Sequence, residues 1–184
     1  MAVTVTCTPG GASDNSYISK TDSDAYFNDT LRDKQWTTWR LTDDASRALI
    51  DATKRIEALG GRKVDTGYPT RQLFTGVALD VTTPQALHFP RSGDVDSEGD
   101  AYVPQEIADA VCEQAYWMLE LREAGGPLVD RDALRDDGVT GWSADGMSES
   151  LGRRECPRGI CPAAWDLVKP CIIGAGVGAV TRAG

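Results

Sequence analysis

The sequence has a single histidine and lacks the common motifs of enzyme active sites. That histidine, His88, has no cysteine or carboxylate at motif distance, so we predict that it is structural. There is no Gly-x-Ser-x-Gly nucleophile turn and no His-Glu-x-x-His metal pair, and Gly60-Gly61-Arg62-Lys63 lacks the pattern of a phosphate-binding loop. The sequence therefore predicts a protein that is not an enzyme and that needs no cofactor.

The chain also lacks an excess of positive charge and any long apolar run. Its 184 residues carry a formal net charge of −9, which disfavours extensive contact with nucleic acid phosphates. No stretch is apolar enough to cross a bilayer, so we predict no membrane partner, and the polar residues 4–11 do not resemble a signal peptide. The five cysteines follow no disulfide framework, which is typical of a protein made in a reducing cytoplasm.

Two groups of possible metal ligands do not have the spacing of known metal sites. The acidic group lacks the final bidentate glutamate of a calcium-binding loop, so we predict a solvated acidic loop. The cysteine group has no close pairs and no histidine beside it, so a local disulfide under oxidation is favoured over zinc. The acidic group is Asp94, Asp96, Glu98 and Asp100, and the cysteine group is Cys156, Cys161 and Cys171. No metal site is predicted.

Two long segments, residues 42–59 and 104–123, show the repeat of apolar residues that is typical of amphipathic helices. Thr42 is expected to cap the first helix, and Pro104 is suited to the first turn of the second. Two short helices are predicted beside them. One starts at a capping Thr21 with Asp24 in the acidic role of a capping box, and the other spans residues 162–168.

The remaining segments complete a mainly α fold, which we predict to be a small helical bundle with flexible terminal arms. Residues 1–14 are expected to form the N-terminal arm, residues 15–171 the helical domain, and residues 172–184 the C-terminal arm. Within the domain, residues 62–102 have no periodic pattern and predict a long irregular loop. Residues 138–156 are rich in turn formers and predict a hairpin or an extended loop.

Trp36 and Trp39 have two interpretations. They can close one end of the core, or they can contribute to a subunit interface, where tryptophan is enriched. We extend the interface hypothesis to Trp142 and Met147 in the predicted hairpin. With Arg40, the two tryptophans also form the candidate cluster of aromatic and basic residues that could stack on the bases of single-stranded DNA.

The order of several motifs between residues 15 and 170 resembles the head–tail connector, or adaptor, proteins of tailed bacteriophages. These motifs are Asn15-Ser16-Tyr17-Ile18-Ser19 leading into Asp24-Ala25-Tyr26-Phe27, residues 48–56, Gln85-Ala86-Leu87-His88-Phe89-Pro90-Arg91-Ser92-Gly93, Val103-Pro104-Gln105-Glu106-Ile107 with Gln114-Ala115, residues 148–152 and residues 167–170. The resemblance implies a small helical bundle with a protruding hairpin, assembled as a ring that is typically of twelve subunits. It implies no catalytic residues.

The resemblance also implies a place in the virion neck, where the ring joins the portal of the head to the tail. The expected partners are other copies of the chain, the portal protein and a tail or head-completion protein. Double-stranded DNA would pass through the lumen without sequence-specific binding. Some relatives carry a DnaT-like label, so single-stranded DNA binding is the alternative. The residues expected to bind the portal are those of the C-terminal arm: Ile172, Ile173, Val177, Val180 and Arg182.

Overall fold

The fold is given by a computed structural model of the full chain, in which five α-helices form the main body of the described part. The structure describes residues 3–28, 30–60, 74–76, 79, 85–124, 141–144, 147–150, 156–157 and 159–172, with backbone alone for 141–144 and 147–150. The elements are α1 (Lys20–Asn28), α2 (Asp33–Arg40), α3 (Asp43–Gly60), α4 (Gln105–Glu123), β1 (Gly141–Ala144), β2 (Met147–Ser150) and α5 (Pro162–Val168), followed by a 3₁₀ turn (Lys169–Cys171). The prediction of a mainly α fold is confirmed.

The centre of the core is the contact between α3 and α4, which run antiparallel. Ile56 of α3 and Val111 of α4 are both 0% exposed, as the apolar repeat predicts for residues on the facing stripes. The antiparallel direction of the two helices follows from a contact at one end of the pair, where Arg122 near the end of α4 binds Asp44 near the start of α3. Helix α5 packs on α4, while α1 and α2 pack on each other and α2 on α3.

The Arg122–Asp44 pair gives a prediction for pH dependence. Arg122 Nη1 and Nη2 donate to the two carboxylate oxygens of Asp44 at 2.9 and 2.8 Å. This hydrogen bonding lowers the pKa of Asp44 from 3.8 to about 2. A lowered pKa means that the pair's contribution to stability is complete above the unfolded pKa and is lost as pH falls through the folded pKa.

We expect a carboxyl NMR titration of Asp44 to show a midpoint near pH 2. Because the pair is in contact with solvent, high salt should move the midpoint back towards its ordinary value. The matched control is Arg122→Gln, in which the Asp44 midpoint should return close to 3.8 even at low salt. An Asp44 midpoint that is the same in both proteins would contradict the assignment.

The start of the bundle differs from the prediction in two places. The cap of α1 is Ser19 rather than Thr21: Ser19 Oγ accepts from the Asp22 amide at 3.1 Å and donates to the Asp22 carboxylate at 2.6 Å. The cap is therefore two residues earlier than predicted, and the same spacing of a hydroxyl and an acid occurs at both positions. Helix α2 was not predicted as a helix, because its eight residues carry two tryptophans and otherwise polar side chains.

Part of the predicted irregular loop belongs to the core. Phe74 is 1% exposed and its ring meets that of Phe89 at a centroid distance of 4.9 Å. The acidic loop after it is a closed turn, in which Asp96 Oδ1 accepts from the amides of Glu98 and Asp100, both at 2.9 Å. Across the described residues, no group of three or more acids, cysteines or histidines is placed to hold a metal ion. The acidic side chains therefore organise the turn itself.

His88 lies beside a carboxylate that its sequence neighbours do not reveal. Its Nδ1 is 2.5 Å from Glu57 Oε2, and its backbone amide donates to Glu57 Oε1 at 3.1 Å. Glu57 is on α3, so this contact fastens the loop to the bundle. The predicted structural role of His88 is consistent with this geometry, whereas its acidic partner could not be predicted from the neighbouring residues.

The described residues of the N-terminal arm contact the helical domain. Asn15 Oδ1 accepts from the Thr6 amide at 2.8 Å, and the Ala86 amide donates to Gly11 O at 3.0 Å. The N-terminal arm therefore lies against the start of the helical domain and against the predicted irregular loop of residues 62–102. The predicted hairpin is present as β1 and β2, an antiparallel pair. Among the helices with described residues, none is both long and apolar enough to cross a membrane.

Candidate functional site

Helix α2 places its two tryptophans inside the bundle. Trp36 is 0% exposed and its ring lies 4.4 Å from that of Phe27, while Trp39 is 3% exposed and lies 5.1 Å from the ring of Tyr116. The spacing of three residues puts both indoles on the same face of the helix. They therefore close one end of the core, which confirms the first of the two interpretations.

Both indole N–H groups are paired with carboxylates of other helices. Trp36 Nε1 donates to Asp24 Oδ1 of α1 at 2.8 Å, and Trp39 Nε1 donates to Glu123 Oε1 of α4 at 2.5 Å. A buried indole needs such a partner, since an unpaired N–H in the core costs about 1–3 kcal/mol. The pair thus holds α2 to α1 and α4, and neither ring is available to stack on a nucleic acid base. A subunit interface at this end would be formed by the exposed residues around them.

Several basic side chains of the described residues lie within 4.0 Å of the chain's own acids. Arg40, the basic member of the predicted stacking cluster, lies 4.0 Å from Asp24. We call the basic residues that share this property the paired cations. They are Lys20 with Asp24, Arg32 with Glu113, Arg40 with Asp24, Arg47 with Asp43, Lys54 with Asp51 and Arg122 with Asp44. A phosphate would have to compete with these carboxylates, which lowers any electrostatic gain from binding nucleic acid.

A cleft of about 250 Å³, lined by both charged and apolar side chains, lies between the start of α2, the middle of α4 and the start of α5. Glu113 accepts from Tyr26 Oη at 2.9 Å and pairs with Arg32, whose guanidinium lies 4.9 Å from the ring centre of Tyr116. Burial, then the bond to Glu113, raises the pKa of Tyr26, and the bond to Glu113 raises the pKa of Arg32. Tyr26 therefore stays protonated and Arg32 stays charged at neutral pH, and both side chains are held by Glu113.

The thiol that lines this cleft is not an activated nucleophile. Burial raises the pKa of Cys161 to about 11, so the thiol stays protonated at neutral pH. Its Sγ accepts from the Ala164 amide at 3.3 Å and so caps α5.

Two leucines flank α2 and are exposed to solvent. Leu31 is 106% exposed and Leu41 is 81% exposed, in contrast to the buried tryptophans between them. Leu31 lies beyond the end of α1 at Asn28, and its side chain is in solvent rather than in the core. We call Leu31 and Leu41 the exposed leucines, since they are the most exposed of the large hydrophobic side chains that the structure describes.

The other predicted interface residues are on the hairpin. Trp142 is opposite Glu149 and Met147 is opposite Ala144 in the register of β1 and β2. Their assignment to a subunit interface stays a prediction. Sequence reasoning missed the exposed leucines. Leu41 directly follows α2, and Leu31 lies in the connection between α1 and α2.

Ile172 is the one predicted portal-binding residue among those described. It forms an antiparallel bridge with Phe74, and the Thr75 amide donates to Cys171 O at 2.8 Å. The first residue of the predicted arm is therefore used within the chain, partly buried against the core. Ile173, Val177, Val180 and Arg182 lie outside the described residues, and their role at the portal stays a prediction.

Comparison with known proteins gives one positive result. Residues 1–141 match the profile of a family described as "Putative DnaT-like ssDNA binding protein". The match includes all of α1 to α4 and the start of the hairpin. It bears on the single-stranded DNA alternative and provides no evidence for a phage head–tail connector.

No curated protein and no solved structure matches the chain. The family match extends over well more than half of the sequence and includes the α3–α4 core that defines the fold. The chain belongs to the DnaT-like single-stranded DNA binding protein family.

Proposed function

We propose that this chain is a structural subunit that joins other protein chains, in the manner of the ring at the bacteriophage neck. The observation that carries the proposal is the contrast between the paired cations, which face the chain's own acids, and the exposed leucines, which face solvent. Covering these two apolar side chains with another chain would remove apolar surface from water, which is favourable. The order of motifs that resembles connector proteins points to the neck, whereas the family match does not.

A ring provides repeated contacts between different surfaces of identical subunits. Leu31 and Leu41 would then be covered by a neighbouring copy or by the portal protein. Burying one leucine side chain at an interface is worth roughly 1.5–3 kcal/mol, so its loss should weaken binding by about tenfold or more. A chain of net charge −9 also repels its own copies, and this repulsion is screened by salt.

The test uses the double variant Leu31→Asp, Leu41→Asp. We expect the native chain to form ring complexes with the portal protein of the same phage, visible by electron microscopy, and the variant to lose them while its melting temperature is unchanged. Added salt should strengthen subunit association, because screening reduces repulsion between acidic copies. The control Ser97→Asp changes an exposed loop position and should assemble normally.

Two results would refute the neck role. One is equal ring formation by the native and double-variant proteins, and the other is failure of the native protein to associate with the portal at any salt concentration. The refutation would leave the family assignment unaffected, since that rests on the sequence match.

A second candidate function is binding of single-stranded DNA, and the family match favours it over the neck role. The described residues give little support to DNA binding, because Trp36 and Trp39 are buried and Arg40 is paired with Asp24. Adjacent basic residues do occur elsewhere in the sequence, at Arg153 and Arg154. They lie outside the described part, so this candidate rests on the family description and on those two charges.

We expect weak binding of single-stranded DNA at physiological salt, measured by fluorescence anisotropy with a labelled oligothymidine. The reason is the acidic surface and the engagement of the paired cations. Tight binding that weakens steeply with salt, and that is lost in Arg153→Ala, Arg154→Ala but not in Arg40→Ala, would establish the second candidate instead. The salt dependence thus has opposite signs for the two functions.

A further inference from the structure

The Phe74 side chain lies between parts of the chain that are far apart in sequence. It is 1% exposed, and its ring meets the rings of His88 and Phe89 at centroid distances of 5.6 and 4.9 Å. Both ring contacts are edge-to-face arrangements, which aromatic pairs favour. Phe74 is therefore packed against the loop of residues 85–91.

The backbone beside this ring pairs with the C-terminal residues. Phe74 forms an antiparallel bridge with Ile172, and the Thr75 amide donates to Cys171 O at 2.8 Å. Ile172 itself is partly buried against the core. The short segment that carries the Phe74 ring thus also holds residues 171–172.

A buried guanidinium adds a second connection between this segment and the loop. Arg91 is 3% exposed, and its Nη2 donates to Gly76 O at 2.6 Å. Its Nη1 donates to His88 O at 3.2 Å. Residues 74–76 and 85–91 are therefore joined both by ring contacts and by hydrogen bonds to one arginine.

The end of α3 has a glycine where Phe74 lies against it. Gly60 is the last residue of α3, and a Cβ atom at this position would overlap Cδ2 and Cε2 of the Phe74 ring. The φ angle of Gly60 is not positive, so the usual reason for a glycine at a helix end does not apply. Alanine is favoured over glycine at a helical position. The close approach of the ring therefore explains the glycine.

We propose that Phe74 is a latch, whose docking on Gly60 holds the loop of residues 85–91 and the C-terminal residues 171–172 in place. We call these segments, together with residues 74–76, the Phe74 latch, and they open and close as one unit. The reason is that they share one buried ring, so the departure of that ring removes a contact from all of them at once.

The latch couples the C-terminal residues to the loop. A partner that binds residues 171–172 only when they are released would release the loop at the same time, because it would favour the open state of the whole unit. Neither the exposed leucines nor the paired cations belong to the latch. It therefore holds for either candidate function.

The first experiment measures hydrogen exchange of single backbone amides by NMR, in the full-length protein at increasing concentrations of denaturant. The Thr75 amide reports the contact with Cys171, and the His88 amide reports the loop, since it donates to Glu57 Oε1. We expect these two amides to have the same opening free energy and the same dependence on denaturant. Both values should be smaller than those of the Val111 amide at the α3–α4 contact.

The second experiment repeats the measurement in Gly60→Ala. The added Cβ displaces the Phe74 ring, so the Thr75 and His88 amides should both exchange about tenfold faster or more, and by the same factor. The matched control is Gly93→Ala, in which the added Cβ has no atom within 4 Å and exchange at both amides should keep its native rate. In a Phe74→Ala background, Gly60→Ala should no longer speed exchange, because no ring remains to be displaced.

Three results would overturn the proposal. The first is a different opening free energy for the Thr75 and His88 amides, and the second is an opening of both that equals the opening of Val111. The third is a Gly60→Ala effect that is absent, confined to one of the two amides, or equally large without the Phe74 ring. Thermal melting of Phe74→Ala, which adds no atoms, shows whether the bundle stays folded when the latch is lost, and loss of its cooperative transition would also contradict a separate unit.

Discussion

Replacing Ile56 or Val111 by aspartate is expected to unfold the domain. Both side chains are 0% exposed at the contact between α3 and α4, and neither has a basic residue placed to pair with a new carboxylate among its helix neighbours on the buried stripes. An unpaired buried charge costs roughly 5 kcal/mol, which approaches the entire stability of a small domain. Circular dichroism should show loss of the cooperative melting transition in both variants.

The matched control is Ala58→Asp, which introduces the same charge on α3 at an exposed position. It should melt within a few degrees of the native protein, because a solvated carboxylate near a helix end costs less than about 1 kcal/mol. Equal melting temperatures of Ile56→Asp and Ala58→Asp would contradict the packing of α3 against α4.

Replacing Gln114 by leucine is expected to destabilise the protein by about 2–4 kcal/mol, although the volume of the side chain hardly changes. Gln114 is 0% exposed, and its amide accepts from the Cys161 backbone and donates to Gly159 O. The substitution leaves the Cys161 N–H without its acceptor, whereas Gly159 O keeps Arg55. The larger part of the loss therefore comes from one unpaired amide. Urea denaturation measures the loss as a lower midpoint.

Gln105→Leu is the control, since Gln105 is at the exposed start of the same helix. A further variant, Gln114→Glu, tests the direction of the hydrogen bonds. Its buried carboxyl should have a raised pKa, and the protonated form can donate to Gly159 O. Its stability should then be greatest at acidic pH and fall as pH rises through that pKa. A native-like denaturation midpoint for Gln114→Leu would show that α5 does not depend on this side chain.

The helices with a long apolar repeat could be predicted from the sequence. Residues 42–59 and 104–123 were placed within one residue of α3 and α4, because each has a repeat of apolar residues over several turns. Helix α5 was also placed correctly, since Pro162 marks its first turn. The turn-rich region 138–156 contains the predicted hairpin.

What could not be predicted depends on contacts between distant residues. Helix α2 has eight residues and is stabilised by its packing and by the bonds of Trp36 and Trp39 to α1 and α4, which no local pattern reveals. The Glu57 partner of His88 is 31 residues away in sequence. The cap of α1 was predicted two residues too far along the chain, because Ser19 with Asp22 and Thr21 with Asp24 have the same spacing.

The candidate site was predicted less well than the fold. The tryptophans were correctly given a role in closing the core, but their burial removes them from both the stacking cluster and direct subunit contact. The exposed leucines were missed because exposure depends on where α1 and α2 end. A hydrophobic residue in a sequence is normally assigned to the core, and the structure shows that Leu31 and Leu41 are not part of it.

The enclosure of Trp36 and Trp39 gives the protein an intrinsic optical signal. Indole fluorescence moves to longer wavelengths when water surrounds the ring, and these two rings are shielded while Trp117 and Trp165 are partly exposed. Undocking of α2 would therefore shift the emission even if the α3–α4 pair stayed folded. A fluorescence emission spectrum recorded during assembly or DNA titration then reports whether α2 stays packed on the bundle, without any added dye.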